Sequence, residues 1–228
     1  HMRNAGIQVD GFGNPPRQPR NGLLLWKTKN PQSPKLKQRV MINFPSTCGV
    51  MFLSGITLFP GEKLPLRIFE LRYREMLDQA LAGSRMFAVA SEYHETDKPV
   101  VGLGLIKSSQ EQPDGTSLLL LEGVGRIRLL EEIEAGSYPH YAIEPVHTIF
   151  DLLETNEMTR ELLLNLCIPY TPEEKTPILE FLREIETLDM LADQISAFYV
   201  ESGEERINLL QCASLQERVD RLIRLLSI

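Results

Sequence analysis

Cysteine is scarce in this chain: Cys48, Cys167 and Cys212 are the only three in 228 residues, and no two lie close enough to form a CxxC pair. An odd, widely spaced set argues against a disulfide framework or a cysteine-ligated zinc site. It points to free thiols in a reducing, cytoplasmic setting. Histidine is nearly as rare. His1, His94, His140 and His147 make no ligand spacing, His94-Glu95 does not extend to HExxH, and Pro145 stands between His140 and His147. No apolar run reaches the roughly 18 residues that a membrane span needs. No glycine is followed by lysine, which excludes a P-loop, and no GxSxG elbow occurs. The sequence therefore offers no catalytic nucleophile–base set, no metal site and no cofactor motif.

What is present is an ordinary globular composition, 43% hydrophobic and 24% charged, of a length that suits one large or two small domains. The net charge of −7 is unevenly spread. Residues 1–50 carry eight Lys and Arg against Asp10 alone, a balance of +7, so the remaining 178 residues carry −14. An acidic body disfavours nucleic acid as a partner. The basic arm can bind an anionic partner or lie on its own acidic body, and the second reading is favoured.

Along the chain, residues 1–49 form a basic, proline-rich leader with two apolar pieces, Leu23–Trp26 and Val40–Phe44. A strand, a Phe59-Pro60-Gly61 turn and an extended run anchored by Pro65 follow from Ile56. A helix is expected from about Glu70, with Phe69, Tyr73, Met76, Leu77 and Ala80 on one face. A Glu70–Arg74 pair lies on the wet side, and Gly83 is the C-terminal cap. Strands are expected over 86–91, 100–107, 116–125, 126–133 and 141–149. Gly102 and Gly104 share one strand face, which signals a bend or a close backbone approach. Gln112-Pro113-Asp114-Gly115 reads as a turn. The Leu118–Leu121 run reads as covered on both faces.

From about residue 154 helical periodicity takes over. Helices are expected over 157–166, through Ile178–Leu188, over 191–200 with Phe198 and Tyr199 inward, and over 204–210. A last helix opens on the capping box Ser214-Leu215-Gln216-Glu217 and carries the stripe Leu215, Val219, Leu222, Ile223 and Leu226. Thr171-Pro172-Glu173-Glu174 reads as another capping box. Arg218, Arg221 and Arg224 form a ridge on the last helix. The bland reading, a solvated face with Glu217–Arg221 and Asp220–Arg224 pairs, outweighs an anion site. Glu131-Glu132 and Glu173-Glu174 read as wet surface.

The combination Leu58-Phe59-Pro60-Gly61, Leu64-Pro65-Leu66, Ile68-Phe69-Glu70 and Arg72-Tyr73-Arg74 resembles the opening of the amino-terminal, substrate-binding domain of the Lon protease family. The strand block resembles it too, through Val101-Gly102, Pro113-Asp114-Gly115, Glu122-Gly123-Val124-Gly125-Arg126, Tyr138 or Tyr141, and Glu144-Pro145. Ala192–Leu226 looks like the family's closing helical run, while Pro169, Pro172 and Pro177 depart from its smoother helix.

The resemblance implies an α+β fold: a PUA-like curled β-barrel over 50–150 with the signature helix packed on it, then a helical bundle over 154–228. It implies a standalone, non-catalytic module without the ATPase and Ser-Lys protease parts. Its partners would be unfolded or degron-bearing polypeptides, and it would act as an adaptor or client binder for a separate protease. RNA or a small molecule on a PUA-like barrel is the alternative, and homo-oligomerisation is left open. The signature residues Phe59, Pro60, Gly61, Pro65, Leu66, Ile68, Phe69, Glu70, Arg72 and Tyr73 are expected to be mainly structural. No contact residues for a ligand are assigned.

Overall fold

The computed structural model describes residues 43–91, 97–134, 136–152 and 156–227. The readings placed on residues 1–42 and on His94 to Thr96 lie outside them. Chain order gives β1 (Thr47–Phe52), β2 (Lys63–Ile68), α1 (Leu71–Ala82), β3 (Met86–Ala90), β4 (Val100–Glu111), β5 (Ser117–Glu132) and β6 (His140–Val146). The helices α2 (Asn156–Cys167), α3 (Thr176–Glu184), α4 (Leu188–Tyr199), α5 (Gly203–Gln211) and α6 (Leu215–Leu226) follow. The architecture is α+β, a mixed sheet followed by helices.

The sheet runs β2-β5-β4-β3-β1-β6, and β5 pairs with β6 as well. β1 and β3 are parallel, and all other pairs are antiparallel. The expected strands 116–125 and 126–133 are one 16-residue strand. The Gly123-Val124-Gly125 interruption is a bulge: Leu103 faces Gly125 while Gly104 faces Gly123, leaving Val124 over. Such a bulge bends a strand without ending it. The first half of β5 lies between β2 and β4, and its second half between β4 and β6.

Two glycines seat the signature turn. A Cβ on Gly102 would stand 2.0 Å from the Leu58 carbonyl oxygen, and one on Gly123 would stand 2.0 Å from that of Phe59. The close backbone approach expected at Gly102 is therefore present, and the two blocks of family-like sequence touch there. Gly61 N donates to the Gly123 carbonyl and Gly123 N to that of Glu62, both at 2.8 Å. Residues 56–59 are consequently a link across the sheet, not the expected strand, because their neighbours' backbone groups go to β5.

Other boundaries differ for local reasons. The first strand begins at Thr47, inside the span assigned to the leader. Leu118 is exposed, so the Leu118–Leu121 run is covered on one face only. Glu70 flanks α1 but pairs with Arg72 at 2.9 Å rather than with Arg74. Gly83 is the C-cap, with its N–H on the Ala80 carbonyl. The Gln112–Gly115 turn is closed by Gly115 N on the Gln112 carbonyl at 2.9 Å.

Thr171 starts no helix. Its hydroxyl donates back to the Cys167 carbonyl, and α3 begins at Thr176 with Pro177 in its first turn. The expected Ile178–Leu188 helix breaks at 185–187, so Leu188 opens α4, and Phe181 and Phe198 point outward. The α6 stripe is buried at Leu215, Val219, Leu222 and Leu226. Ser214 accepts from Glu217 N at 3.0 Å, while the Glu217 carboxylate takes Cys212 Sγ instead of closing the box.

Three apolar clusters result. One lies beneath α1, one inside the sheet, and one among the helices. Phe59 belongs to the helical cluster although it precedes every helix in sequence, so the signature turn also holds the two parts together.

Candidate functional site

The first signature residues, Phe59-Pro60-Gly61, sit at the joint between sheet and helices. Phe59 is fully buried, with the Arg206 guanidinium 5.3 Å from its ring centre. The Pro60 carbonyl accepts Gln194 Nε2 at 2.8 Å. Gly61 takes φ +81° where a Cβ would meet that same Nε2 at 2.8 Å, so glycine is needed there on two counts. Leu66, Ile68 and Tyr73 are buried in the cluster under α1, Phe69 is half-buried, and Pro65 is exposed on β2. Arg72 lies 4.7 Å from the Tyr73 ring centre.

Beside the turn, Glu62 accepts from Phe59 N and from Arg206 Nη2, each at 2.8 Å. Burial raises the Glu62 carboxyl above its ordinary value, against the pull of Arg206. Arg206 also donates to Thr57 Oγ1 at 3.0 Å and to the Ala197 carbonyl at 2.7 Å. It thus ties the end of α4 and α5 to the signature link.

A second polar knot lies deeper. Asp193 on α4 receives Arg126 from β5 through two bonds of 2.8 and 2.6 Å, and Arg218 from α6 at 2.6 Å. Arg218 reaches on to Asp189 at 2.5 Å and Thr148 at 3.1 Å. Arg126, Asp193 and Arg218 are all buried. Burial disfavours the Arg126 charge, but the Asp193 carboxylate more than offsets this, and the guanidinium is held above its ordinary value.

This overturns the solvated-ridge reading for Arg218. Of the three arginines only Arg224 is fully on the surface, while Arg221 pairs with Glu205 at 3.4 Å rather than with Glu217. Asp220 takes Gln216 Nε2, not Arg224. One signal could have placed Arg218: it stands at i+3 from Leu215 and i−4 from Leu222, on the apolar stripe itself.

An aromatic pair and a groove lie on the surface of the described residues. On the helices, Phe181 and Phe198 form an edge-to-face pair at 6.2 Å, both more than two-fifths exposed. Against the sheet, a groove of about 550 Å³ runs between α1 and the β4–β5 hairpin. Leu81 supplies its apolar surface, with Leu77 buried at its base and Arg74, Arg85, Ser109 and Glu111 around them. This groove therefore has mostly polar walls.

Among the described residues no group of three His, Cys, Asp or Glu is placed to hold a metal ion, and no helix is long and apolar enough to cross a membrane. His140, in β6, is pushed below its ordinary value by burial and lies beside the Tyr138 ring. His147 is exposed, as are Glu131, Glu132, Glu173 and Glu174.

Comparison with known proteins gives a consistent answer. A family model described as the ATP-dependent protease La (LON) substrate-binding domain matches residues 47–227. Lon protease of Desulfosudis oleivorans is 24% identical over 198 residues, covering 80% of this chain and 24% of that protein. Lon protease of Haemophilus influenzae is 26% identical over 199 residues, covering 79% and 24%. The chain thus spans about a quarter of the length of the curated relatives it matches.

Among solved structures, the N-terminal domain of Mycobacterium avium complex Lon protease superposes with a TM-score of 0.67 at 18% identity, over 79% of this chain and 98% of that one. The Lon N-terminal domain protein from Xanthomonas campestris gives 0.59 at 18% identity over the same shares. At this identity the structural likeness speaks for the fold alone.

Proposed function

The chain belongs to the ATP-dependent protease La (LON) substrate-binding domain family, and on that premise we propose that it is a non-catalytic polypeptide-binding module serving proteolysis. Its clients are unfolded or degron-bearing chains, which it holds for a protease in the cytoplasm. The observation that carries this reading is the family match over residues 47–227, which takes in both the sheet and the helices.

The geometry supports it in two ways. The buried family-signature residues are spent on joining sheet to helices and on packing α1, which leaves a stiff platform whose outer surfaces are available. The strand pairings β5–β4–β3–β1–β6–β5 return to their start, which favours a curled PUA-like barrel over 50–150 as the base of that platform, with the helices of 154–228 docked on it. Phe59, Pro60 and Gly61 act as this joint, Leu66, Ile68 and Tyr73 fill the core under α1, and the signature set makes no client contact.

The test is fluorescence anisotropy with labelled α-lactalbumin, presented both reduced and carboxymethylated (unfolded) and native. Saturable binding of the unfolded form, with none of the native form, is the expected result. Binding of neither form, or equal binding of both, rejects the reading.

A further inference from the structure

Among the described residues, the end of β4 has an unpaired strand edge, and it faces the groove. β3 accompanies β4 only as far as the Met86–Leu105 pair. Arg85 then ends the partnership: its carbonyl accepts Ile106 N at 2.8 Å, and its Nη2 donates to the Ile106 carbonyl at 3.2 Å. Arg85 adopts φ +60°, which turns the chain away into the loop from α1. Past a register shift between Ile106 and Ser108, residues 108–111 pair with β5 alone among the described residues.

The ladder fixes which backbone groups are free. Gln112 N donates to the Thr116 carbonyl at 2.7 Å, closing the hairpin. Antiparallel bonding alternates residue by residue. Counted back from Gln112, Gln110 and Ser108 turn their N–H and C=O towards β5, opposite Leu118 and Leu120. Ser109 and Glu111 turn theirs outward. These same two residues line the groove, opposite Arg74 and Leu77 of α1.

Arg74 adds a charge in want of a partner. Its Nε is buried and has no hydrogen-bond partner among the described residues. Its Nη1 lies 3.0 Å from where a Cβ on Gly115 would stand, so the glycine leaves room for the guanidinium. The other open edge, β2, is less suited to receive a strand. Pro65 lies within it and has no N–H to offer.

We propose that an extended client segment adds to β4 as a new strand at residues 108–111. Its main chain bonds to the N–H and C=O of Ser109 and Glu111, an apolar side chain lies over Leu81, and an Asp or Glu side chain reaches Arg74. Strand addition takes its affinity from main-chain groups that every sequence has, with side-chain contacts adding preference. That suits a module whose clients share an unfolded state rather than a sequence. The proposal rests on the polypeptide-binding reading above and assigns it a place.

The experiment uses the full chain and the same labelled, carboxymethylated α-lactalbumin. Ser109→Pro removes an outward N–H while leaving the β5 ladder bonds in place, and it is expected to weaken binding about tenfold, the worth of one lost hydrogen bond with the added crowding. Arg74→Gln is expected to weaken it severalfold, with a reduced dependence on salt. Phe181→Ser, on the far helices, is expected to bind as the parent does.

Hydrogen exchange on the unsubstituted chain gives a readout that needs no variant to fold: the amides of Ser109 and Glu111 slow when polypeptide is added. Parent binding with unchanged exchange at 107–111 overturns the site while leaving the function standing. No binding by the parent overturns the function itself. If sedimentation shows a dimer that Ser109→Pro dissolves while polypeptide binding persists, the edge joins two copies of the chain and the client proposal is wrong.

Discussion

Asp193 receives Arg126 through both terminal guanidinium nitrogens, at 2.8 and 2.6 Å, across 67 residues of sequence. The pair links the long strand to the helices, and Arg218 completes it from the last helix. Removing Asp193 leaves the buried Arg126 charged with no carboxylate beside it and Arg218 with Asp189 alone. Asp193→Ala is therefore expected to destabilise the chain by about 3–5 kcal/mol, read as a lowered urea midpoint. Replacing Arg126, Asp193 and Arg218 together with apolar residues of similar volume is expected to cost far less, which separates the loss of a partner from the loss of an attraction.

The seat of the signature turn gives a steric test. Gly102→Ala and Gly123→Ala each place a methyl 2.0 Å from a backbone oxygen of the buried residues Leu58 and Phe59. Each is expected to cost about 3 kcal/mol or somewhat less, at the upper end of overpacking penalties, seen as a fall in Tm. Gly125→Ala meets only the ring tip of Phe44, at 2.5 Å. That ring can swing aside, so a smaller loss is expected there.

Asp151 supplies a pH test. Its carboxylate accepts Gln216 N at 3.0 Å and Ser214 Oγ at 2.7 Å, at the start of α6. These bonds hold it below its ordinary value of 3.8. A carboxyl with a lowered folded value stabilises the fold above the unfolded value, and that contribution is lost as the pH falls through the folded one. Asp151→Asn is thus expected to be less stable than the parent at pH 7, with the difference shrinking below about pH 4. Urea unfolding at pH 7 and pH 3 checks this.

Thiol chemistry should follow burial. Desolvation pushes the Cys48 and Cys167 thiols up to about 12. Cys212, partly exposed, is raised by burial and by its bond to Glu217. Since the thiolate is the reacting form, the native chain at pH 8 is expected to react slowly with an aromatic disulfide reagent, Cys212 first. All three are expected to react at once in denaturant. Fast reaction of Cys48 in the native chain would show that β1 is not packed as described.

Much of the chain was legible because its signals are local. Pro60 and Gly61 end an extended run, the Gln112–Gly115 turn is built from its own four residues, and the α6 stripe repeats at helical spacing. Each of these is decided by backbone sterics or by one helical face. What misled was local too. Gly123 and Gly125 read as the end of a strand, whereas the bulge between them bends β5 and lets it serve both β2 and β6. Phe198 read as inward from helical periodicity, whereas it stands two-fifths exposed against Phe181 of α3.

The sequence by itself determined the family likeness, the order of strands and helices, and the positions of the turns, since these follow from spacing and from the φ preferences of proline and glycine. Tertiary structure alone decided that Arg218 is buried rather than wet, because its partners Asp189 and Asp193 come from another helix. It decided that Phe59 belongs to the helical core. It also decided that the edge of β4 beyond Ile106 stays open, because a strand is unpaired only when no other part of the described fold comes to lie beside it.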